Sequence, residues 1–468
     1  MKINSKHSFD VLLSQISNYA ANALRHRSSA LYVTSLGLSR FASFVLALVA
    51  LRVFNVGNYA IYVKIFSVQP LIQSLAGSGI NELLIPILHS SGFSVSQNKL
   101  DIAKEHLLPM AILLLICFSI ASPLLLASVA KNRLLASICL SYILYGLSYF
   151  LLNSESIYSN LSFSRSKASL INLINNVIVP SGALALAAWH NNPFIYPLFL
   201  FVLSALSILV LSSAYLCKAN RLHLPNGFRV GNPHTTKIFS YSLVGSIASW
   251  SSGFGILYLA SFLYQPAELQ VFGTIFSLSS IPGVVSTLLN QAWVPYLYRS
   301  FDAKSVKESI KMSGSFYRKL SILMIALIII LLVSLHSILE VLVGITLKDN
   351  SLAFAIYSSA LLSASYLASI GWYFNQNYFY LLSKVKSLNS ILALSSLIPF
   401  LLFCVAKNFI YLPSAIFFCQ AFLRSLSSAF LNRRIAPFMP QVLETITPSL
   451  ALFTILLLAS PVLEHFYG

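Results

Sequence analysis

Charged side chains are scarce in this chain, and acidic ones are the scarcest. Only 9% of the 468 residues are charged, with 12 Asp and Glu against 30 Lys and Arg. A soluble protein of ordinary composition has about 25% charged residues, so an ordinary soluble domain is excluded. The formal net charge of +18 does not indicate nucleic-acid binding, because no polar segment is long enough to form a basic soluble domain.

The chain also lacks the motifs of enzyme and metal chemistry. Its five cysteines lie in or beside apolar stretches, and none forms a Cys-x-x-Cys pair. Neither a metal site nor a disulfide framework is therefore predicted. No glycine-rich loop is followed by a phosphate-binding Lys, and no nucleophile motif occurs. We expect no catalytic residue, no metal and no cofactor, and residues 1–30 show no apolar core of the signal-peptide type.

Long apolar stretches dominate instead, and 57% of the residues are hydrophobic. A bilayer crossing needs about 20 mainly apolar residues, and it must be helical because lipid offers no partner to a backbone amide. The fold class predicted is an all-α polytopic membrane protein of about twelve transmembrane helices, or thirteen to fourteen if the stretch 448–463 also crosses. The twelve predicted spans are 31–54, 58–88, 107–130, 134–160, 168–189, 194–217, 238–264, 270–297, 320–345, 351–382, 387–406 and 410–432.

The positions of Lys and Arg predict the orientation of these spans. With the N-terminus in the cytoplasm, 22 basic residues lie in inside segments and four in outside loops. Cytoplasmic segments are enriched in Lys and Arg, so this orientation is favoured. The remaining four basic residues lie within spans, and they are Arg40, Arg52, Lys64 and Arg424.

The spans form two related halves. A basic pair precedes span 5, which contains Pro180, and another precedes span 11, which contains Pro399, at one common offset. We predict six-helix bundles at 31–217 and 238–434, joined by a cytoplasmic basic linker at 218–237. The remaining predicted parts are a cytoplasmic segment at 1–30, either an interfacial helix or a disordered tail, and an extension at 435–468. Repeats of this kind place a substrate site between the halves.

Basic residues within spans are the main functional indication. A Lys or Arg near the membrane centre costs roughly 2.5–3.5 kcal/mol on insertion scales. Arg40, Lys64, Arg424 and Arg52 are therefore candidate substrate-binding residues. The planar fork of Arg favours an anionic ligand such as phosphate, since it forms bidentate hydrogen bonds. The alternative is structural, with Arg40 paired to Glu82 and Arg52 at the outer lipid headgroups.

Acidic and amide side chains within spans form the second group of candidates. Glu82 and Glu155 are candidates for ion coupling, because an intramembrane carboxylate can carry a proton or Na⁺. Glu155 lies near the inner end of its span, where an ion pair with the basic residues at 165–167 is the alternative. Asn290 and Gln291 are candidates for substrate binding, although amides in spans more often link helices.

Two stretches carry a resemblance to a known family. Residues 36–80 contain an Arg that closes span 1, a Gly-x-Tyr start to span 2 at Gly57, and a Gly-x-Gly-Ile near its end at Gly77. Residues 241–319 contain Asn-Gln-Ala-x-x-Pro, beginning at Asn290. With these motifs the chain resembles Wzx-type polysaccharide exporters, the O-antigen flippases. Their superfamily also contains the multidrug/toxic-compound extruders and the murein-precursor flippases.

The resemblance covers most of residues 30–434 and implies two bundles around a central cavity lined by spans 1, 2, 7 and 8. Arg40 and Lys64 would hold the pyrophosphate of an undecaprenyl-linked oligosaccharide there. The implied function is a flippase of the bacterial inner membrane that works by alternating access and is coupled to an ion gradient. Implied partners are that glycan lipid, membrane lipids and other polysaccharide-assembly membrane proteins. Spans 7 and 8 contain no Lys or Arg until Arg299, so the cationic lining would be one-sided.

Two alternative functions remain. A multidrug extruder exports cations, and a cavity with Arg40, Lys64 and few deep acids has the wrong sign for that cargo. An integral-membrane polysaccharide polymerase or ligase would be equally apolar. Such an enzyme would be expected to have a sizeable outer loop, whereas no outer loop predicted here exceeds about ten residues.

The predicted orientation can be tested by cysteine labelling. Single cysteines placed in 218–237 and in 298–319 should react only with membrane-permeant reagents, because these segments contain four and six basic residues. A cysteine beside Lys131, in a predicted outer loop, is the control and should react with impermeant reagents. Labelling of 298–319 from outside would overturn the orientation.

Overall fold

The computed structural model describes residues 27–77, 132–161, 165–211, 233–303, 306–343, 349–381, 385–405 and 411–435, and five residues between 112 and 120. This part of the chain consists of helices and short turns, with no strand. The helices of the N-terminal half are α1 (Arg27–Val53), α2 (Val56–Ala76), α3 (Asn132–Leu161), α4 (Arg165–Leu173), α5 (Val179–Trp189) and α6 (Tyr196–Leu211).

The C-terminal half begins with a span that is broken into two helices. Its helices are α7 (Pro233–Ser251), α8 (Phe254–Leu263), α9 (Pro266–Ala303), α10 (Val306–Val343), α11 (Asp349–Leu381), α12 (Val385–Val405) and α13 (Leu412–Ile435). Within the described ranges, seven segments are long and apolar enough to cross a membrane, and the bent pair α7 and α8 makes an eighth.

The all-α polytopic fold predicted from the sequence is confirmed. Nine of the twelve predicted spans coincide with described helices to within about six residues at each end. The inner end of span 2 lies outside the described residues, and the helix of span 9 begins at Val306, well before the predicted start at residue 320. Most of span 107–130 lies outside the described residues, as do the stretch 448–463, the segment 1–26, residues 218–232 of the linker, and Glu82.

Span 5 contains a local widening of its helix. A π-helical turn, Ile174–Ile178, joins α4 to α5, and Pro180 follows within the first turn of α5. Proline has no amide hydrogen and its ring crowds the carbonyl four residues earlier, so the regular α-helical ladder cannot continue through it. A π-turn is one way in which a helix accommodates that interruption.

One predicted loop is helical in the structure. Helices α9 and α10 have 38 residues each, about 57 Å at ~1.5 Å per residue, whereas the hydrocarbon core is about 30 Å thick. They therefore continue beyond the membrane as a helical hairpin over most of 298–319, which the sequence analysis treated as a loop. Trp293 and Phe316 stack at 4.5 Å between ring centroids and join the two helices where the hairpin leaves the predicted spans.

The two halves meet along spans 1 and 2 on one side and spans 7 and 8 on the other. Helix α2 packs against α7, α8 and α9, and α1 packs against α9. An aromatic row crosses this boundary, with ring centroids 5.7 Å apart for Phe66 and Phe254 and 6.3 Å apart for Phe254 and Phe276. The resemblance predicted that these four spans surround the central cavity, and the structure brings them together.

Close packing between α9 and α11 gives a test of this arrangement. A Cβ at Gly283 would overlap the ring of Tyr366, whereas a Cβ at Gly314 would meet no atom within 4 Å. We expect Gly283→Ala to destabilise the protein by about 1–3 kcal/mol through overpacking. Gly314→Ala is the matched control and should be neutral or slightly stabilising, because Ala favours helix. Thermal unfolding in detergent compares the two, and equal stability would contradict the packing.

Candidate functional site

The most distinctive feature of the described helices is the break in span 7. Helices α7 and α8 are bent by 51° across Ser252 and Gly253. The N-cap position of α8 is Gly253, and no side chain caps that helix end. A glycine is required two residues later, since a Cβ at Gly255 would lie 3.0 Å from the carbonyl oxygen of Trp250. The break therefore leaves polar backbone groups near the middle of a span.

Hydrogen bonds join the residues at the break to one another and to two neighbouring helices. The hydroxyls of Ser252 and Ser396 each donate to the carbonyl oxygen of Ala248, both at 3.0 Å. The indole Nε1 of Trp250 donates to the carbonyl oxygen of Ser67 at 2.7 Å, across the boundary between the halves. Pro70 in α2 lies three residues beyond Ser67 and interrupts the helical ladder there. The break is thus tied to α12 in its own half and to α2 in the other.

Arg424 extends from α13 to this break. Its Nη2 donates to Ser252 Oγ at 2.5 Å and to Ser396 Oγ at 3.3 Å. Each hydroxyl uses its only hydrogen on a carbonyl oxygen of α7, that of Ala248 for Ser396 and that of Ala248 or Ser249 for Ser252, and so presents a lone pair to the guanidinium. The Cζ atom lies 5.6 Å from the ring centroid of Trp372.

These contacts hold the guanidinium of Arg424 without neutralising its charge. Hydrogen bonds from a charged donor contribute roughly 1.5–3 kcal/mol each, and a cation–π contact about 0.5–2 kcal/mol. Together they offset the insertion cost of roughly 2.5–3.5 kcal/mol. No acidic partner for Arg424 occurs among the residues that the structure describes, and its buried Nε has no hydrogen-bond partner there either.

A cavity lies on the same face of α13. It has a volume of ≈ 330 Å³ and is lined by Leu426, Ser427, Phe430 and Leu431. Residues 427 and 431 follow Arg424 by three and seven positions, so they share its helical face. In the predicted orientation this cavity lies on the cytoplasmic side of Arg424.

Lys64 also contacts span 7, but at the opposite end of α8. Its Nζ lies 4.7 Å from the ring centroid of Phe262, and its side chain is half-buried between the halves. The C-terminal end of a helix carries partial negative charge, which stabilises a nearby cation. Lys64 is therefore held by two favourable interactions at the outer end of α8.

Arg52 contacts a helix end as well. Its Nη2 donates to the carbonyl oxygen of Val341, in the last turn of α10. Basic side chains near a helix C-terminus satisfy terminal carbonyl groups and interact favourably with the helix dipole. The contact gives Arg52 a structural role at the outer ends of α1 and α10.

Asn290 lies in a buried polar network that joins three helices. Its Oδ1 accepts hydrogen bonds from Tyr317 Oη at 2.5 Å and from Asn377 Nδ2 at 2.9 Å. Asn377 Nδ2 also lies 2.9 Å from Tyr317 Oη. This network links α9, α10 and α11, which is the helix-linking role that the sequence analysis gave as the alternative.

Glu155 forms an ion pair near the inner end of α3. Its Oε1 lies 2.7 Å from Lys167 Nζ, and both side chains are partly exposed. The alternative considered from the sequence, a pair with the basic residues at 165–167, is therefore present. A carboxylate paired in this way has less freedom to carry a coupling ion.

Three of the candidates are placed only in part or not at all. Arg40 lies in α1, three residues after Gly37, at which α1 packs on Leu288 of α9. Gln291 lies in α9. The side chains of both residues lie outside the described part, and Glu82 lies wholly outside it.

Sequence reasoning missed most partners of Arg424. Ser252, Ser396 and Trp372 come from three other helices, and nothing in the local sequence connects them to α13. One signal was present, since Ser-Ser-Gly-Phe-Gly at 251–255 is a cluster of turn-forming residues within an apolar stretch. It could have indicated the break in span 7.

The network around Asn290 can be tested by a double-mutant cycle with Asn290→Ala and Tyr317→Phe. We expect the two substitutions to be non-additive by about 0.5–2 kcal/mol, because each removes the same hydrogen bond. Asn290→Ala with Ser334→Ala is the control pair and should be additive, as Ser334 lies about 25 Å from Tyr317 along α10. Unfolding in mixed micelles measures all of them. Additivity of the first pair would contradict the network.

Comparison with known proteins gives similarity at the level of the fold. No protein-family model and no curated protein matches the chain. A crystal structure of a mutant of the Vibrio cholerae MATE transporter VcmN has a TM-score of 0.54 and 11% sequence identity, with 90% of this chain and 99% of that chain covered. The bent form of VcmN from the same organism has a TM-score of 0.48 and 12% identity, with 94% and 99% covered. The first of these shows that the chain has the fold of a MATE transporter.

Proposed function

We propose that this protein is a flippase that moves an undecaprenyl-pyrophosphate-linked oligosaccharide, such as an O-antigen repeat unit, across the bacterial inner membrane. The broader part of the proposal, a membrane transporter, is supported by the MATE-type fold. The choice of substrate is supported by charge and by the sequence resemblance to Wzx-type exporters.

The charge distribution within the spans is the observation that carries the proposal. Lys64 and Arg424 lie within spans, and neither has an acidic partner among the described residues. Every acid in the described helices lies in the first or last two turns of its helix, and these acids are Glu155, Glu268, Asp302, Glu308, Glu340 and Asp349. The described interior is therefore purely cationic, which favours an anionic cargo.

A diphosphate on a lipid carrier fits this electrostatic pattern. Its charged group must cross the hydrocarbon core while its polyprenyl chain can remain in lipid. A cation within the protein reduces the cost of that passage, because it replaces part of the hydration that the phosphates lose. Alternating access requires that the two halves separate on one side at a time, and here they meet along α1 and α2 against α7, α8 and α9.

Ion coupling and partner proteins belong to the same proposal. Glu82 is the acid that the sequence places deepest in a span, so it is the residue we propose for coupling to an ion gradient. Glu155 is the weaker candidate because of its pair with Lys167. Membrane lipids and the other membrane proteins of polysaccharide assembly are the proposed partners.

The second candidate function is a multidrug extruder. The observation that favours it is the fold itself, which is shared with a MATE transporter. An exporter of organic cations would need acidic groups in the cavity, and Glu82, the acid that the sequence places deepest in a span, is the candidate to supply that charge. Resistance to organic cations on expression of the protein, without any effect on surface polysaccharide, would favour this function over the flippase.

The flippase proposal is tested by the requirement for Arg40. In a strain that lacks its own O-antigen flippase and expresses this protein, Arg40→Ala should abolish or sharply reduce surface polysaccharide at normal protein abundance. Arg40→Lys should restore export only in part, since a point charge cannot reproduce the bidentate contact of Arg. Arg52→Gln is the matched control and should leave export near wild type, because Arg52 contacts a helix end.

The structural alternative for Arg40 is tested by Glu82→Gln. If the two residues are only an ion pair, Glu82→Gln would impair export as much as Arg40→Ala does. The double neutral variant, Arg40→Ala with Glu82→Gln, would then recover export, and such recovery would refute the cavity role of Arg40. If the wild-type protein does not restore surface polysaccharide in any flippase-deficient strain, the proposed function is wrong.

A further inference from the structure

The two cations that contact span 7 lie at opposite ends of α8. Lys64 is near Phe262, at the C-terminal end, where the helix dipole favours a positive charge. Arg424 is hydrogen-bonded to Ser252, one residue before the N-cap Gly253, where the helix dipole opposes a positive charge. The C-terminal end of α7 lies at the same break and offsets that partial charge. The guanidinium therefore retains its full positive charge with no acid to balance it in the described part of the chain.

Unused hydrogen-bonding groups lie at the same place. The Nε of Arg424 is buried without a partner. Gln420, one turn earlier on α13, is 0% exposed, and its Oε1 also has no partner among the described residues. No side chain caps α8, and of its first three amides only that of Ile256 has a backbone acceptor, the carbonyl oxygen of Gly253, which leaves the amides of Phe254 and Gly255 as donors. Arg424 Nε and the two amides can donate to an anion, while Gln420 Oε1 is the unused side-chain acceptor among the described residues of this cluster and suits a protonated phosphate oxygen or an accompanying water.

We propose that Arg424 and the N-terminal amides of α8 form a phosphate-binding site at the break in span 7. If the proposed function is correct, the ligand of this site is the diphosphate of the lipid-linked substrate. The cavity of ≈ 330 Å³ lined by Ser427 lies one turn from Arg424 on the cytoplasmic side of α13. Arg binds phosphate in bidentate fashion, and helix N-termini bind it through amide hydrogens and the dipole. The site places phosphate binding in the C-terminal half, whereas Arg40 and Lys64 lie in the N-terminal half.

Binding can be measured without transport. The full-length protein in nanodiscs of zwitterionic lipid is titrated with sodium pyrophosphate at constant ionic strength, and tryptophan fluorescence is recorded. Trp372 faces the guanidinium of Arg424 at 5.6 Å, so occupation of the site should change its emission. We expect a saturable change in tryptophan fluorescence in the wild type. Loss of this change in Trp372→Phe would identify Trp372 as the residue that reports binding.

Variants of the site separate charge from packing. Arg424→Gln should weaken pyrophosphate binding at least tenfold. Arg424→Lys should bind pyrophosphate with an affinity between those of Arg424→Gln and the wild type. Arg52→Gln is the matched control, since it removes a guanidinium from a helix end far from the break and should bind as the wild type does. Equal binding by Arg424→Gln and the wild type would overturn the proposal, and so would the absence of saturable binding in the wild type.

A second pair of variants covers the case in which Arg424→Gln does not fold. Ser252→Ala and Ser396→Ala keep the positive charge but remove the acceptors that orient the guanidinium. Each should weaken pyrophosphate binding a few-fold, and thermal unfolding is recorded for both variants so that binding is compared only between folded proteins. Unchanged binding in both would show that the orientation of Arg424 is irrelevant and would count against the site.

Nanodiscs that contain anionic lipid decide whether the site binds the substrate diphosphate or a lipid headgroup. If phosphatidylglycerol in the nanodisc abolishes the pyrophosphate titration, a headgroup occupies the site and the assignment to the substrate diphosphate is wrong. If the titration persists, that assignment is supported. Pyrophosphate binding without restored surface polysaccharide would refute the proposed function and leave the site intact, whereas restored polysaccharide without binding would refute the site alone.

Discussion

A polar group within lipid must form its hydrogen bonds with other groups of the protein, and this constraint underlies the structure. Regular helices meet it through their own backbone hydrogen bonds. The break in span 7 does not, because a bend of 51° near mid-span leaves carbonyl and amide groups outside any helix. Hydroxyls from Ser252 and Ser396 donate to the carbonyl oxygen of Ala248, and Trp250 uses a carbonyl of α2. These hydrogen bonds, together with that from Arg424 to Ser252, connect span 7 to α2, α12 and α13.

The same groups that stabilise the break also hold Arg424. Each serine has one hydroxyl hydrogen, and because that hydrogen is used on a carbonyl oxygen of α7, the remaining lone pairs are available to a donor. A guanidinium fits this arrangement, whereas a lipid chain does not. Repair of the backbone and retention of a buried cation are therefore parts of one network. A substitution at Ser396 would affect both, so stability and ligand binding have to be measured separately at this position.

Much of the fold could be predicted from the sequence, because the hydropathy of each span depends only on the residues of that span. The depth of Arg424 in its span was also local information. Its partners were not, because Ser252 is separated from it by 172 positions and joins it only through packing. The loop expected at 298–319 is largely helix, since charged residues mark the end of the apolar stretch and say nothing about the end of the helix. The role of Asn290 could not be predicted either, because the sequence does not distinguish an amide that binds substrate from one that links helices. In the structure Asn290 contacts Tyr317 and Asn377 and so links helices.

The sequence resemblance implied a cationic lining on one side of the cavity, because spans 7 and 8 have no Lys or Arg of their own before Arg299. The structure modifies that expectation. Span 12 supplies Arg424 to the break in span 7, and span 2 supplies Lys64 to the other end of α8. Each end of α8, the outer segment of the broken span, therefore lies beside a cation that belongs to another span. The two are not equivalent, since the helix dipole stabilises Lys64 in place and leaves Arg424 in need of a counter-charge. An anion near α8 would therefore gain more at Arg424 than at Lys64, so the broken span offers one stronger and one weaker position for a negative charge.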